Sequence, residues 1–204
     1  MKILFLLTLV AIGFFSISIE EADVFGHGGP GKDRAPAIDF ENKKAAVEVE
    51  MDPSDITVGD VSNAFMNVTF LDENTGETFK QVTYAIDVYR QGELLARNNF
   101  YAEDGTVTID IRPNESCEET LLWKCSKYYG TEHPIAGALY TFGENNPVIE
   151  GPIFVKGGLY HINVEVLGAG SVRSNLLDPL EYDVYVAIAQ EQTFYIQVPD
   201  HLIA

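Results

Sequence analysis

The chain has 204 residues, of which 46% are hydrophobic and 22% are charged, a composition that suits one folded domain of ordinary size. This balance excludes a wholly disordered chain and a protein with many membrane spans. Its 31 acidic and 13 basic residues give a formal net charge of -18, which repels phosphate backbones and argues against nucleic acid as a partner.

Residues 1–18 have the layout of a signal peptide. An apolar run covers residues 3–15, and acidic residues begin only at Glu20. The run of about 13 residues suits the hydrophobic segment of a signal peptide and is shorter than the roughly 20 that span a bilayer. We therefore expect export with cleavage after Ser18, and cleavage after Gly26 or an uncleaved anchor are the alternatives. The protein would be secreted or held at the extracytoplasmic cell surface, with membrane contact only through an uncleaved segment.

Residues 19–44 are predicted to be a flexible leader, because the stretch FGHGGPGKDR is rich in Gly and lacks apolar periodicity. Cleavage after Gly26 would make His27 a free N-terminus, whose amine and ring could both bind copper. His133 or His161 could complete such a site. The alternative is that His27 is solvated, that His161 points outward from a strand, and that His133 lies in a loop before a proline.

From residue 45 to 199 the hydrophobic pattern has a period of two, which is typical of half-buried strands. Turn signals rich in Asp, Gly and Pro separate the runs at spacings that suit antiparallel hairpins. We predict an all-β, immunoglobulin-like antiparallel β-sandwich of about eight or nine strands, with a closed barrel as the main alternative. Residues 200–204 form a tail. The alternating apolar residues are Val47, Val49, Met51, Ala64, Met66, Val68, Phe70, Val82, Tyr84, Ile86, Val88, Val107, Ile109, Ile111, Tyr160, Ile162, Val164, Val166, Val184, Val186 and Ile188, followed by Phe194, Ile196 and Val198.

The turns and loops carry two further signals. The triplets NVT at Asn67 and NES at Asn114 are N-glycosylation acceptors in an exported chain, and Asn114 is favoured because it lies beside a proline in a predicted loop. Calcium is a second candidate metal because it takes oxygen ligands, although no EF-hand spacing is present and acidic turns are ordinarily solvated. The acidic turn residues are Asp52, Asp55, Asp60, Asp72, Glu73, Glu103 and Asp104.

Residues 113–152 interrupt the alternating pattern with an insert of about forty residues. The insert holds the only cysteines of the chain, Cys117 and Cys125, and an oxidising compartment would join them in a disulfide. A continuous helix would place their Cα atoms roughly 12 Å apart, whereas a disulfide needs about 7 Å or less. We therefore expect a folded-back loop. Metal binding is the weaker alternative, since a structural zinc site wants four ligands.

The insert is also rich in aromatic residues, which argues against disorder. Trp123, Tyr128, Tyr129 and Tyr140 on a loop closed by a disulfide would supply rigid contact area of the kind favoured in recognition surfaces. The alternative is a satellite core in which these rings cover one end of the sandwich.

Three stretches of the chain stand out together, namely HGGPGKDRAPAIDF at residues 27–40, TYAIDVYRQGELLARNNFYAEDGTVTIDIRP at residues 83–113 and GPIFVKGGLYHINVEVLGA at residues 151–169. They resemble a group of secreted, uncharacterised proteins of ammonia-oxidising archaea. The resemblance implies an archaeal envelope protein with a sandwich domain and no assigned reaction. The Gly158-Leu159-Tyr160 turn is also similar to the start of strand F in immunoglobulin-like domains, which implies a packed tyrosine ring whose hydroxyl ties down a turn.

The sequence contains no motif that favours catalysis. It has no Gly-x-Ser-x-Gly elbow, no His-Glu-x-x-His pair and no phosphate-binding loop. We therefore interpret the chain as an exported, non-enzymatic module for binding or cell-envelope association, whose partner is an envelope component or another protein. Extracytoplasmic copper or calcium binding is the first alternative, and a secreted hydrolase is the second.

Overall fold

A computed structural model describes residues 31–54 and 64–189, and almost all of its regular structure is β-strand. The signal segment, His27 and the predicted strand at residues 194–198 lie outside the described residues. The strands are β1 Lys32–Arg34, β2 Ile38–Phe40, β3 Lys43–Asp52, β4 Ala64–Asp72, β5 Val82–Arg90, β6 Glu93–Ala102, β7 Thr106–Pro113, β8 Lys127–Tyr129, β9 Thr131–Glu132, β10 Leu139–Tyr140, β11 Val148–Gly151, β12 Gly158–Gly168 and β13 Leu180–Ile188. A 3₁₀ helix covers Leu122–Cys125, and no described helix has the length and hydrophobicity of a membrane span.

The strands form two sheets, which confirms the predicted β-sandwich. The first sheet has the order β1-β3-β4-β7-β11-β8, with β2 also paired to β3, and the second has the order β13-β12-β5-β6-β10-β9. The seven long strands follow the immunoglobulin order. Strands β3, β4 and β7 take positions A, B and E, while β5, β6, β12 and β13 take positions C, C′, F and G.

The core lies between the two sheets and is built from the alternating residues of the long strands. Every apolar residue predicted to alternate inward within the described strands is buried, as expected when successive side chains point to opposite faces. Phe70 in the first sheet lies near Tyr182 of the second, with ring centroids 6.1 Å apart. The period-two pattern was therefore sufficient to predict the inner face of six of the seven long strands, whereas β6, whose burial does not alternate, was not among the predicted runs.

The predicted flexible leader is wrong from Lys32 onward. Strands β1 and β2 both pair antiparallel with β3, and Ala35 between them is buried. Lys32 and Arg34 lie opposite the acidic face of β3, where Lys32 Nζ is 2.9 Å and Arg34 Nη2 is 2.6 Å from Glu48 carboxylate oxygens. Three-residue strands are too short to show a period, and their pairing depends on β3 rather than on local composition.

The predicted strand number and the purely antiparallel pairing are also corrected. The described residues form thirteen strands, because the leader adds two and the insert adds four. Strand β10 runs parallel to β6, and β11 runs parallel to β7. The insert is therefore not irregular, but its strands are two to four residues long and carry no periodic signal.

Candidate functional site

The insert covers one side of the sandwich by extending both sheets. Strands β11 and β8 continue the first sheet beyond β7, and strands β10 and β9 continue the second beyond β6. Only Gly130 separates β8 from β9, so the chain crosses from one sheet to the other at this point. Each sheet consequently ends on this side in a very short strand, which limits pairing with other chains.

The predicted disulfide and its folded-back loop are confirmed. Cys117 and Cys125 are joined, with their Cα atoms 5.5 Å apart. This pairing uses both cysteines, so neither is a metal-ligating thiolate. Directly after the bridge, the Ser126 hydroxyl donates a 2.6 Å hydrogen bond to the carbonyl of Leu95 in β6, and Leu122 packs against the core. The disulfide loop is thus fastened to the second sheet.

The aromatic residues of the insert divide between the two interpretations. Tyr128 packs against the core, and its hydroxyl accepts a 2.7 Å hydrogen bond from the Arg97 backbone N–H. Burial raises the pKa of this tyrosine. Trp123 and Tyr129 are 38% and 45% exposed. Tyr128 therefore belongs to a satellite core, whereas Trp123 and Tyr129 remain available as contact area.

Tyr140 belongs to a separate cluster of rings. Its ring lies 5.0 Å from that of His133, and the His133 ring lies 4.5 Å from that of Tyr101 in β6. Phe142 adds an exposed ring 5.9 Å from Tyr140. Because these rings contact one another, Tyr140 is half-buried and positions the insert on the second sheet.

A cleft of about 310 Å³ opens between the β5–β6 hairpin, the disulfide loop and the segment before β12. Its charged lining consists of two basic residues, Arg90 and Lys156, and two acidic residues, Glu93 and Glu115. These residues are spread from position 90 to position 156, and no local motif joins them. The sequence analysis therefore missed them, and only the corner at Tyr160 pointed to this end of the sandwich.

The rest of the cleft lining is mostly apolar. Leu95 of β6, Leu122 of the 3₁₀ helix and Val155 supply aliphatic surface, and Cys117 places the disulfide in the wall. Leu95 is buried and Leu122 packs against the core, so this part of the wall is continuous with the sandwich interior. The cleft thus combines an apolar wall with charged groups.

Tyr160 fixes the segment that forms one wall of the cleft. Its hydroxyl donates a 2.7 Å hydrogen bond to the carbonyl of Lys156, and its buried ring contacts Phe154 edge-to-face at 4.7 Å. Burial raises the pKa of this hydroxyl. The expectation that Tyr160 ties down a turn is therefore confirmed, and the tie sets the position of Lys156 at the cleft.

Arg90 fastens the same segment from the opposite strand. Its Nη2 donates a 3.0 Å hydrogen bond to the carbonyl of Gly157. Its buried Nε–H has no acceptor among the described residues. A buried donor without a partner costs about 1–3 kcal/mol. The guanidinium is therefore held in place at the cleft wall with part of its hydrogen-bonding capacity unused.

The two described candidate histidines lie in separate environments. His133 Nδ1 accepts hydrogen bonds from the backbone N–H groups of Ile135 and Ala136. The His161 ring lies between those of Tyr89 and Tyr185, and its Nε2 is 2.5 Å from an Asp183 carboxylate oxygen. Within residues 31–54 and 64–189, no group of three or more His, Cys, Asp or Glu side chains is placed to hold a metal ion.

Asp183, which contacts His161, and the acidic turn residue Asp72 both accept local hydrogen bonds. Burial acts to raise the pKa of Asp183, but hydrogen bonds from His161 and Asn163 outweigh it, and the net pKa is lowered. A hydrogen bond from the Asn74 backbone N–H likewise holds the pKa of Asp72 below its ordinary value. Both carboxylates are engaged in local hydrogen bonds, which indicates a structural role. Asp55 and Asp60 lie outside the described residues.

The two glycosylation triplets occupy different backbone environments. Asn114 follows the end of β7, and its Nδ2 donates to Glu150 at 3.1 Å. Asn67 lies inside β4, which pairs with strands on both sides, and its Oδ1 accepts a 2.7 Å hydrogen bond from Thr108. An asparagine inside a central strand is less accessible to modification than one in a surface loop.

We predict that a host with N-glycosylation modifies Asn114 and leaves Asn67 unmodified. Mass spectrometry of the secreted protein should show one glycan, which disappears in Asn114→Gln and persists in Asn67→Gln. A glycan mapped to Asn67 would contradict the placement of that residue within a paired strand.

Comparisons with known proteins return no similar protein. No family model, no curated protein and no solved structure matches the chain. The class of protein defined by the fold is an immunoglobulin-like β-sandwich with a disulfide-closed insert. The resemblance to secreted archaeal proteins stays a prediction, and the functional argument depends on the cleft.

Proposed function

We propose that the chain is an exported, non-enzymatic β-sandwich module that binds a small ligand or an envelope component at the cleft beside its disulfide loop. The observation that carries this proposal is the charged lining of the cleft. Arg90, Lys156, Glu93 and Glu115 line it, and none of them forms an ion pair with another described residue.

Export is supported by the disulfide. Such bonds persist in oxidising compartments outside the cytosol and are rare within it. The bridge between Cys117 and Cys125 is consistent with the signal-like N-terminal segment. Secretion and attachment to the cell surface are both compatible with this compartment.

Binding is supported by the rigidity of the cleft walls. The disulfide loop is fastened through Ser126, and the opposite wall is held by hydrogen bonds from Tyr160 and Arg90. Walls held in one geometry lose little conformational entropy on binding, which favours affinity. Trp123, which follows the cleft residue Leu122 in the chain, is 38% exposed.

We predict that replacing both cysteines with serine lowers the free energy of unfolding by about 2.5 kcal/mol, the entropy cost of closing a ring of about nine residues. The same variant should lose binding at the cleft, because Cys117 forms part of its wall. Denaturant unfolding measures the first effect. Amide chemical shifts of ¹⁵N-labelled protein, titrated with neutral, anionic, cationic and zwitterionic small molecules, measure the second.

The matched control is Val68→Ala, in a buried strand position of the first sheet that does not line the cleft. It should cost about 2 kcal/mol and leave binding unchanged. Shifts confined to the residues that line the cleft support the proposal. The absence of saturable shifts there, with every class of compound, would overturn it.

A further inference from the structure

We infer that the cleft takes a small zwitterion with an apolar body, such as an apolar α-amino acid or dipeptide, and this inference rests on the proposed function. Such a ligand matches the charges of the lining and the size of the cleft.

The basic groups of the cleft lie on one connected wall. Arg90 donates to the carbonyl of Gly157, which directly follows Lys156 in the chain. The Tyr160 hydroxyl bonds the carbonyl of Lys156 itself. One hydrogen-bond network therefore fixes the Arg90 guanidinium and the backbone of Lys156 at the same wall, and the Lys156 side chain also lines the cleft. Guanidinium and ammonium groups together favour a carboxylate, and arginine does so with directional hydrogen bonds.

The acidic groups come from two other elements. Glu93 begins β6, and Glu115 precedes Cys117 at the start of the disulfide loop. Both are exposed side chains that line the cleft. In register, Glu93 is the strand partner of Arg90, yet no ion pair joins them in the described structure. These two carboxylates supply acceptors for the ammonium group of a ligand.

The described basic residues divide between paired and unpaired ones, and Lys80, Lys124, Lys127 and Arg173 form no ion pair either. On the outer faces of the sheets, Lys32 and Arg34 bond Glu48, and Arg97 forms a salt bridge to Asp87. In a chain with 31 acidic residues, a basic side chain has many carboxylates available. Two basic and two acidic groups that line one cleft without pairing leave both signs of charge for a ligand.

A ligand with a single charge would use only half of this lining. An anion would bring its carboxylate to Arg90 and Lys156 while facing repulsion from the nearby glutamates, and a cation would meet the reverse arrangement. A zwitterion satisfies both pairs and adds no net charge to a chain at -18. Charge complementarity of this kind mainly determines specificity.

Size and apolarity define the remainder of the ligand. The cleft volume of about 310 Å³ lies at the lower end of the range for small-molecule sites. Leu95, Leu122 and Val155 offer an aliphatic wall that a polar zwitterion such as glycine would not fill. An apolar side chain buried there would contribute about 25 cal/mol for each Å² removed from water.

The test compares ligands that differ by one charge, by isothermal titration calorimetry and by amide shifts of the full mature chain. We expect L-leucine or Leu-Leu to bind at the cleft. Comparing the affinities of these two ligands distinguishes a free amino acid from a peptide as the ligand. N-acetyl-L-leucine lacks the ammonium, L-leucinamide lacks the carboxylate, and glycine lacks the apolar body. Each of the three should bind at least about tenfold more weakly, which corresponds to 1.4 kcal/mol.

Single charge removals then assign the two halves of the site. Lys156→Gln should weaken L-leucine about fivefold to tenfold and should not weaken the cation L-leucinamide. Glu115→Gln should weaken L-leucine similarly and should not weaken the anion N-acetyl-L-leucine. Both side chains are exposed, so both variants should fold. Lys127→Gln, an exposed lysine of the insert that does not line the cleft, is the matched control and should change no affinity.

The outcomes separate this inference from the proposed function. If N-acetyl-L-leucine, L-leucinamide or glycine binds the cleft as tightly as L-leucine and Leu-Leu, the inference of an apolar zwitterion is wrong while the binding module stands. If no compound of any class binds there, both fail. Binding of L-leucine with affinity unaffected by Lys156→Gln and by Glu115→Gln would also overturn the inference.

Discussion

Gly105→Ala is expected to destabilise the protein by about 4 kcal/mol or more, or to prevent folding. Gly105 lies in the turn between β6 and β7 with a φ of +91°, a region that L side chains rarely adopt. An added Cβ would lie 1.9 Å from the backbone oxygen of Phe79. The carbonyl of Gly105 also accepts hydrogen bonds from the Phe70 N–H and the buried Tyr84 hydroxyl, so a shift of this turn disturbs two strands.

Gly92→Ala is the matched control for this prediction. Gly92 also has a positive φ, +81°, in the β5–β6 hairpin, but an added Cβ would meet nothing within 4 Å. Its cost should be about 1 kcal/mol, from the backbone conformation alone. Equilibrium denaturation of both variants gives the comparison. If both variants lost the same stability, the contact between Phe79 and residue 105 would not be the reason that this position requires glycine.

Phe70→Ala is expected to lower the free energy of unfolding by about 3–5 kcal/mol, the usual cost of removing a large buried side chain. The ring is fully buried and stacks on Phe79 at 4.5 Å. It also contacts Phe40 of β2 at 5.5 Å and Tyr182 of the second sheet at 6.1 Å. The cavity would therefore open where a leader strand and both sheets meet.

Phe142→Ala serves as the control for the core substitution. Phe142 lies in the insert and is 58% exposed. Its removal should change the free energy of unfolding by about 0.5 kcal/mol or less. Urea or guanidinium unfolding curves with unchanged slopes would give both values. If the Phe70 variant lost no more stability than the Phe142 variant, the packing of the two sheets at Phe70 would be wrong.

The candidate site was predictable only in part. The compartment argument predicted the Cys117–Cys125 bridge, and the Gly-Leu-Tyr turn predicted the hydrogen bond of Tyr160, because both depend on residues close together in the chain. The charged lining was not predictable, since Arg90 and Lys156 meet only when β5 and the segment before β12 lie side by side. The histidines were misleading in the opposite way. Their residue type suggested one shared metal site, but His133 and His161 lie in separate environments.

The aromatic content of the insert was similarly ambiguous before its environment was known. Tyr128 and Trp123 look equivalent in the sequence, yet one packs against the core and the other is 38% exposed. Which ring becomes structural depends on where β8 pairs with β11, a contact across about twenty residues of chain. Burial of a single ring therefore cannot be inferred from composition.

The period-two alternation of apolar residues was enough to predict the sandwich and six of its seven long strands with their buried faces, but not β6. Burial of one face requires that alternation, so the signal is local and strong. The tertiary structure alone decided that Lys32–Arg34 and Ile38–Phe40 become strands, that the insert extends both sheets, and that four unpaired charges line one cleft. Short strands and clefts form through contacts between residues that are distant in the chain. Such contacts produce no periodic pattern in the amino-acid sequence.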